Sequence, residues 1–257
     1  MTAVASFESL GAGPVLLFLH GIGGNRHSFD GQLPAFADRW RAISWDMPGY
    51  GDSAPLAEMT YPALADAVAR LLDHLDAPWA AIVGHSMGGM VAQEFVVRHP
   101  GRTSALVLSA TSPSFGKPGG EWQEWFLGQR LAPLDRGLSP ADFAHELVPA
   151  MMGDNPPAAA VAAAMASMSA LSPDTYRAAL HCLVQFNRRD KLGEISCPTL
   201  ALAGDADEAA PAAMMEKMAS HIPDGRYCCL NGVGHLANLE DPEQFNLAVR
   251  SFLDEVT

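Results

Sequence analysis

Near-continuous apolar runs recur along the chain, with helix-patterned stretches between them. The runs are VLLFLH (15–20), RAISWDM (41–47), AAIVGHS (80–86), ALVLSA (105–110), TLALAG (199–204) and RYCCLNG (226–232). A strand buried on both faces reads this way, because neither alternate set of side chains meets water. By contrast, ALADAVARLLDHL (63–75), MVAQEFVVRHP (90–100) and PEQFNLAVRSFLDEV (242–256) gather their apolar residues on one helical face. Strands alternating with helices predict an α/β fold with a doubly wound, mostly parallel sheet. Residues 2–10 have room for one or two ragged opening strands.

The alternation breaks between Thr111 and Lys191. SPSFGKPGG (112–120) is a Pro/Gly/Ser loop, and no good strand follows it before residue 191. Instead come EWQEWFLGQRL, SPADFAHELVPAMM, PAAAVAAAMASMSAL and SPDTYRAALHCLVQF, all helix-like. Ser139 and Ser172 each precede a proline and then an aspartate, the pattern of a capped helix start. The chain is therefore expected to divide into a core of residues 1–111 and 191–257 and an inserted helical cap of residues 112–190.

Bulk properties narrow the setting. At 257 residues and 49% hydrophobic, the chain can bury a full core without staples. A formal net charge of -13 disfavours nucleic acid and anionic membrane as partners. Cys182, Cys197, Cys228 and Cys229 show no metal-ligand spacing, which fits free thiols in a reducing cytoplasm. The opening MTAVASFESLGAG lacks the basic and apolar regions of a secretory signal.

GHSMGG (84–89), between the apolar run AAIV and the helical pattern MVAQEF, is the sharpest chemical signal. Gly-x-Ser-x-Gly at a strand-to-helix turn is a nucleophile elbow, in which a strained serine stands exposed at the positive end of a helix. Ser86 is thus the candidate nucleophile, and the Met87 N–H points at the same place. HGIGG (20–24) follows another strand, and its Ile22 N–H is the candidate second donor to an oxyanion. A serine needs a base. Among nine histidines, His235 stands in a loop past the last strand, where open α/β sheets build their sites. His85 adjoins Ser86, but strand pleating is expected to send it to the opposite side. The base in turn needs a carboxylate, and GDADEAAP (204–211) offers Asp205, Asp207 and Glu208. Asp46, in DMPGYGDS, is expected to bond loop amides instead.

HGIGG, DMPGYGDS, GHSMGG, GDADEAAP and GHLANLEDPEQF, in this order, resemble the α/β-hydrolase superfamily over nearly the whole chain. The resemblance implies Ser86 as nucleophile, His235 as general base and acid, and the Ile22 and Met87 amides as oxyanion hole. The family's Gly-x-x-Asp pattern, with proline four residues later, falls on Gly204, Asp207 and Pro211. It points to Asp207 as the triad acid, with Asp205 as rival and Glu208 as a charge near the next helix. The tail and the stretch QFNRRDKLGEISCPTLALAGDADEAAP are similar to 3-oxoadipate enol-lactonases and small carboxylesterases. Meta-cleavage C–C hydrolases share the elbow and the Phe245–Asn246 pair. Their carboxylate-binding arginine would fall to Arg130, Arg177, Arg188 or Arg189. A serine in the elbow argues against haloalkane dehalogenases and epoxide hydrolases, which use aspartate there.

The expected activity is hydrolysis of a carboxylic ester or (enol-)lactone through an acyl-enzyme on Ser86, without metal or organic cofactor. A C–C hydrolase acting on a vinylogous diketone acid is the alternative, and a non-catalytic binding scaffold the third reading. Trp122, Trp125, Phe126, Met151 and Met165, with Met152 and Met168, are the cap residues expected to roof a largely apolar pocket. The partner is then a small-molecule substrate, with neither nucleic acid nor membrane involved.

Overall fold

The computed structural model describes residues 4–117 and 119–257. In chain order the first half runs β1 (Phe7–Leu10), β2 (Val15–Leu19), α1 (Leu33–Phe36), β3 (Arg41–Trp45), α2 (Tyr61–His74), β4 (Ala80–His85), α3 (Met87–Arg98) and β5 (Thr103–Ser109). Four helices follow: α4 (Glu121–Asp135), α5 (Pro140–Leu147), α6 (Ala158–Ser169) and α7 (Pro173–Leu183). The chain closes with β6 (Thr199–Gly204), α8 (Ala212–Ala219), β7 (Gly225–Leu230), α9 (Ala237–Glu240) and α10 (Pro242–Val256).

The strands form one seven-stranded sheet in the order β1-β3-β2-β4-β5-β6-β7. Only β1 runs antiparallel to its neighbour. Alternate residues serve opposite faces. Leu17, Leu19, Ile82, Leu106 and Leu108 share a cluster with Leu64, Leu71, Val91 and Phe95 of α2 and α3. Leu16, Phe18, Val83, Val107 and Leu202 share another with Phe36 of α1 and Phe245, Val249 and Phe252 of α10. Both faces are dry, which is why the strand sequences do not alternate. α1 and α9 hold four residues each, too few to leave a helical period in the sequence.

Strand order reverses at β2: β3 lies on one side of it and β4 on the other. Such a switch point opens a crevice at the carboxyl ends of the strands. Because Leu19 pairs with Gly84, the loops leaving β2 and β4 begin side by side. This pairing brings HGIGG against GHSMGG.

The four helices between β5 and β6 leave and return through one narrow seam. Ser114 forms an antiparallel bridge with Asn187. The Phe115 N–H donates to Phe186 O at 3.0 Å and the Arg188 N–H to Pro113 O at 2.7 Å. Within the segment, Ser172 Oγ caps α7 by accepting the Thr175 N–H, and the Asp142 carboxylate closes the start of α5 on Ser139. Among the described residues, no helix is long and apolar enough to cross a membrane.

Candidate active site

β4 ends at His85 and α3 begins at Met87, so Ser86 alone makes the turn. Its φ of 52° and ψ of -119° lie where a side chain is strained. Hydrogen bonds hold it there. The Ser86 N–H donates to Ser109 O at 2.9 Å, and Thr111 Oγ1 donates to Ser86 O at 2.7 Å. The tight turn requires glycine at two places: a Cβ on Gly84 would meet Gly88 O at 2.6 Å, and one on Gly88 would run into the Leu19 carbonyl.

Ser86 Oγ lies 2.9 Å from His235 Nε2, and His235 Nδ1 lies 2.9 Å from Asp207 Oδ2. The second Asp207 oxygen accepts the Ala209 and Ala210 N–H groups at 2.8 and 2.9 Å. Burial pushes the Asp207 carboxyl upward. The His235 hydrogen bond and charge and the two amides outweigh that, so it sits below the ordinary carboxylate value. Asp205 is exposed and accepts the Gly232 N–H at 2.7 Å, turned away to a loop tie. Glu208 is exposed and lies shortly ahead of Pro211, the N-cap of α8.

Among the described residues, no protein acceptor takes up the N–H of Ile22 or of Met87. Both residues flank the serine: Ile22 lines the same cavity as Ser86, and Met87 is the next residue. That cavity, about 190 Å³, lies between the strand ends and the four helices. Phe126, Met151 and Met168 line it. Trp122 and Trp125 do not; they are 51% and 60% exposed, and Trp122 stacks behind Phe126 at 5.6 Å. Met165 and Met152 pack into the apolar core beside the cavity instead of lining it. Of the four arginines weighed, Arg130 reaches the cavity and stacks over Phe126 at 5.6 Å. Arg177 pairs with Asp135, Arg188 with Glu94, and Arg189 reaches toward Gly116 O.

Three side chains around the site were not legible as part of it. His85 does not point away. Because Ser86 leaves the strand conformation, the His85 ring comes within 5.1 Å of the His235 ring and donates from Nε2 to His235 O at 2.8 Å. Burial and the His235 charge lower its pKa to about 3, so it is neutral. Glu240, buried at the end of α9, accepts N–H groups from Gly234 and Leu236 on both sides of His235, and from Gly153 at 2.7 Å. His20 is fully buried between the Gly21 carbonyl and the Met47 amide. Asp46 behaves as expected, accepting the Arg26 and Asp52 N–H groups, and it also binds the Arg26 guanidinium at 2.7 Å.

A family model described as the alpha/beta hydrolase fold matches residues 14–242. The 3-oxoadipate enol-lactonase 2 of Acinetobacter baylyi is 28% identical over 244 residues, 93% of this chain and 88% of that protein. The pimeloyl-acyl-carrier-protein methyl ester esterase of Aeromonas hydrophila is 30% identical over 257 residues, 96% of this chain and 98% of that protein. Among solved structures, a thermophilic esterase from Thermogutta terrifontis, with malate bound, superposes with a TM-score of 0.89 at 29% identity, covering 98% of this chain and 93% of that one.

Proposed function

The chain belongs to the α/β-hydrolase fold family, and on that premise we propose that it is a serine hydrolase cleaving a carboxylic ester or (enol-)lactone of a small, largely apolar substrate. The hydrogen-bonded chain Ser86–His235–Asp207, opening on a largely apolar cavity, carries this reading. Esterases and an enol-lactonase among the similar proteins support the same bond type.

In the proposed reaction Ser86 Oγ attacks the substrate carbonyl while His235 Nε2 takes its proton. Asp207 holds the Nδ1–H tautomer and offsets the imidazolium charge. The oxyanion forms between the Ile22 and Met87 N–H groups, each worth about 2.7–4 kcal/mol in sites of this kind. His235 then protonates the departing alkoxide or enolate. A water deprotonated by His235 attacks the acyl-enzyme, and collapse returns the proton to Ser86. Every proton moves through His235, so the scheme uses neither metal nor organic cofactor. We assign residues 112–190 the role of a cap that walls the cavity off from water. The free cysteines and the charge of -13 support a cytoplasmic setting and a small-molecule partner in place of nucleic acid.

The test is turnover of p-nitrophenyl butyrate and labelling by a fluorophosphonate, each with Ser86→Ala as control. Absence of both in the pure protein sinks the reading. One observation favours a second reading. Arg130 is the only Arg, Lys, Asp or Glu among the described cavity-lining residues, and a vinylogous diketone acid would set its carboxylate there. Preference for such an acid over the ester, again dependent on Ser86, would select C–C hydrolysis.

A further inference from the structure

The oxyanion donor at Ile22 depends on a peptide plane, and the fold supplies a device that holds it. We propose that His20 is a positioning residue that aims the Ile22 N–H at the cavity by fixing the carbonyl oxygen of Gly21; this rests on the serine-hydrolase reading above.

The described residues contain no cis peptide bond, so the Gly21 C=O and the Ile22 N–H point in opposite directions from one plane. Whatever holds the oxygen on one side aims the hydrogen at the other. His20 Nδ1 lies 2.8 Å from Gly21 O, and the Gly24 N–H donates to the same oxygen at 3.1 Å. The proton on Nδ1 follows from the far side of the ring. There the Met47 N–H donates to Nε2 at 2.9 Å, which makes Nε2 an acceptor and leaves Nδ1 as the donor. Only one tautomer of the neutral ring satisfies both contacts. A protonated ring would set an N–H against the Met47 N–H, and burial keeps the ring neutral by lowering its pKa to about 4.

The next peptide plane is held as well. The Tyr50 hydroxyl donates to Ile22 O at 2.9 Å, and its ring meets the His20 ring edge-on at 4.9 Å. Both planes flanking Ile22 are thus pinned by side chains on the side away from the substrate. The anchor lies just past strand β3: Met47, beyond Trp45 and Asp46, sets the His20 tautomer, and His20 sets the peptide. A histidine needed only for packing would have no reason to hold this oxygen, the one whose partner N–H is left without an acceptor.

Two amide side chains separate the halves of this device. In His20→Asn the side-chain amide nitrogen takes the place of ring Nδ1, keeping the donor to Gly21 O and losing the Met47 contact. In His20→Gln the side-chain amide reaches the place of Nε2, keeping an acceptor for Met47 and losing the Gly21 donor. With p-nitrophenyl butyrate, His20→Gln is expected to lose kcat by about 10- to 100-fold with KM within about twofold, short of the loss of a whole donor. His20→Asn is expected to stay within about threefold of wild type, with melting temperatures recorded for both. Equal losses in the two variants, or losses that follow melting temperature, overturn the proposal. Should His20→Gln not fold, His20→Asn decides, and a tenfold fall in its kcat at unchanged melting temperature is the overturning result. An inactive, unlabelled wild-type protein would defeat the serine-hydrolase reading and this inference together. An active wild type with His20→Gln at full kcat defeats the inference alone.

Discussion

The N–H of His235 donates to the carbonyl oxygen of Met151 at 2.7 Å. The loop that carries the proposed base is therefore bonded directly to the segment joining α5 and α6. Glu240 reinforces the joint, since one carboxylate accepts N–H groups from Gly153 on that segment and from Gly234 and Leu236 on the loop. Glu240→Gln places an NH₂ group where an acceptor is needed and leaves a buried donor facing a donor. It is expected to cost about 1–3 kcal/mol of stability. A displaced His235 is expected to lower kcat by about 10- to 100-fold. Urea unfolding and steady-state kinetics check both, and a variant that keeps wild-type kcat would separate Glu240 from the base.

Ser86 holds its φ of 52° at a cost. Ser86→Ala keeps the strain and removes only the hydroxyl, whereas Ser86→Gly releases about 1–3 kcal/mol of strain against about 0.4–1 kcal/mol of added freedom in the unfolded chain. Both variants are expected to be inactive, and Ser86→Gly to melt above Ser86→Ala. Differential scanning calorimetry decides, and the reverse order would show that the turn is not strained.

Asp207→Asn leaves the oxygen that binds Ala209 and Ala210 but cannot hold the His235 tautomer. Its kcat is expected to fall by about 10⁴-fold. Asp205→Asn, whose carboxylate accepts the Gly232 N–H, is expected to stay within about threefold, because tautomer control does not pass through it. A large loss at Asp205 in place of Asp207 would reverse the assignment.

His20 and His85 are neutral in the folded state, with pKa values lowered to about 4 and about 3. In the unfolded chain they bind protons below about pH 6.5. The unfolded state then holds more protons, so stability is full above that pH and falls as pH drops toward 4. Each histidine is expected to remove about 3 kcal/mol by pH 4. Asp207, with its lowered value, adds a loss of the same sign at still lower pH. Urea unfolding at pH 7, 5.5 and 4 measures the slope, and a flat profile contradicts the buried neutral rings.

What sequence reading recovered is what sits in local patterns. The elbow, the glycine-rich loop after β2 and the Gly-x-x-Asp pattern each lie within a few residues, and the fold brings them together as their order implies. Two of the residues it missed act over distance. His85 meets a carbonyl 150 positions away and Glu240 an amide 87 positions away, pairings that depend on how separate loops meet. Trp122 and Trp125 misled because α4 carries no clear apolar stripe, so composition could not say which way it turns. His85 misled for a different reason. Pleating predicts alternation only while the strand lasts, and it ends one residue before the serine.

The narrow seam at Ser114 and Asn187 has a consequence for how this architecture diversifies. Viewed from the sheet, everything from α4 to α7 is a single loop whose two feet are already stitched together. Loop-closure entropy grows only slowly with length, so the sheet tolerates a long or a short excursion there at similar cost. The helices that shape the cavity wall can therefore be exchanged as a cassette while strand register, elbow and glycine-rich loop stay unaltered. The Met151 and Gly153 ties to the His235 loop, and the Thr175 hydroxyl's bond to Gly49 O, are joints that any replacement must rebuild.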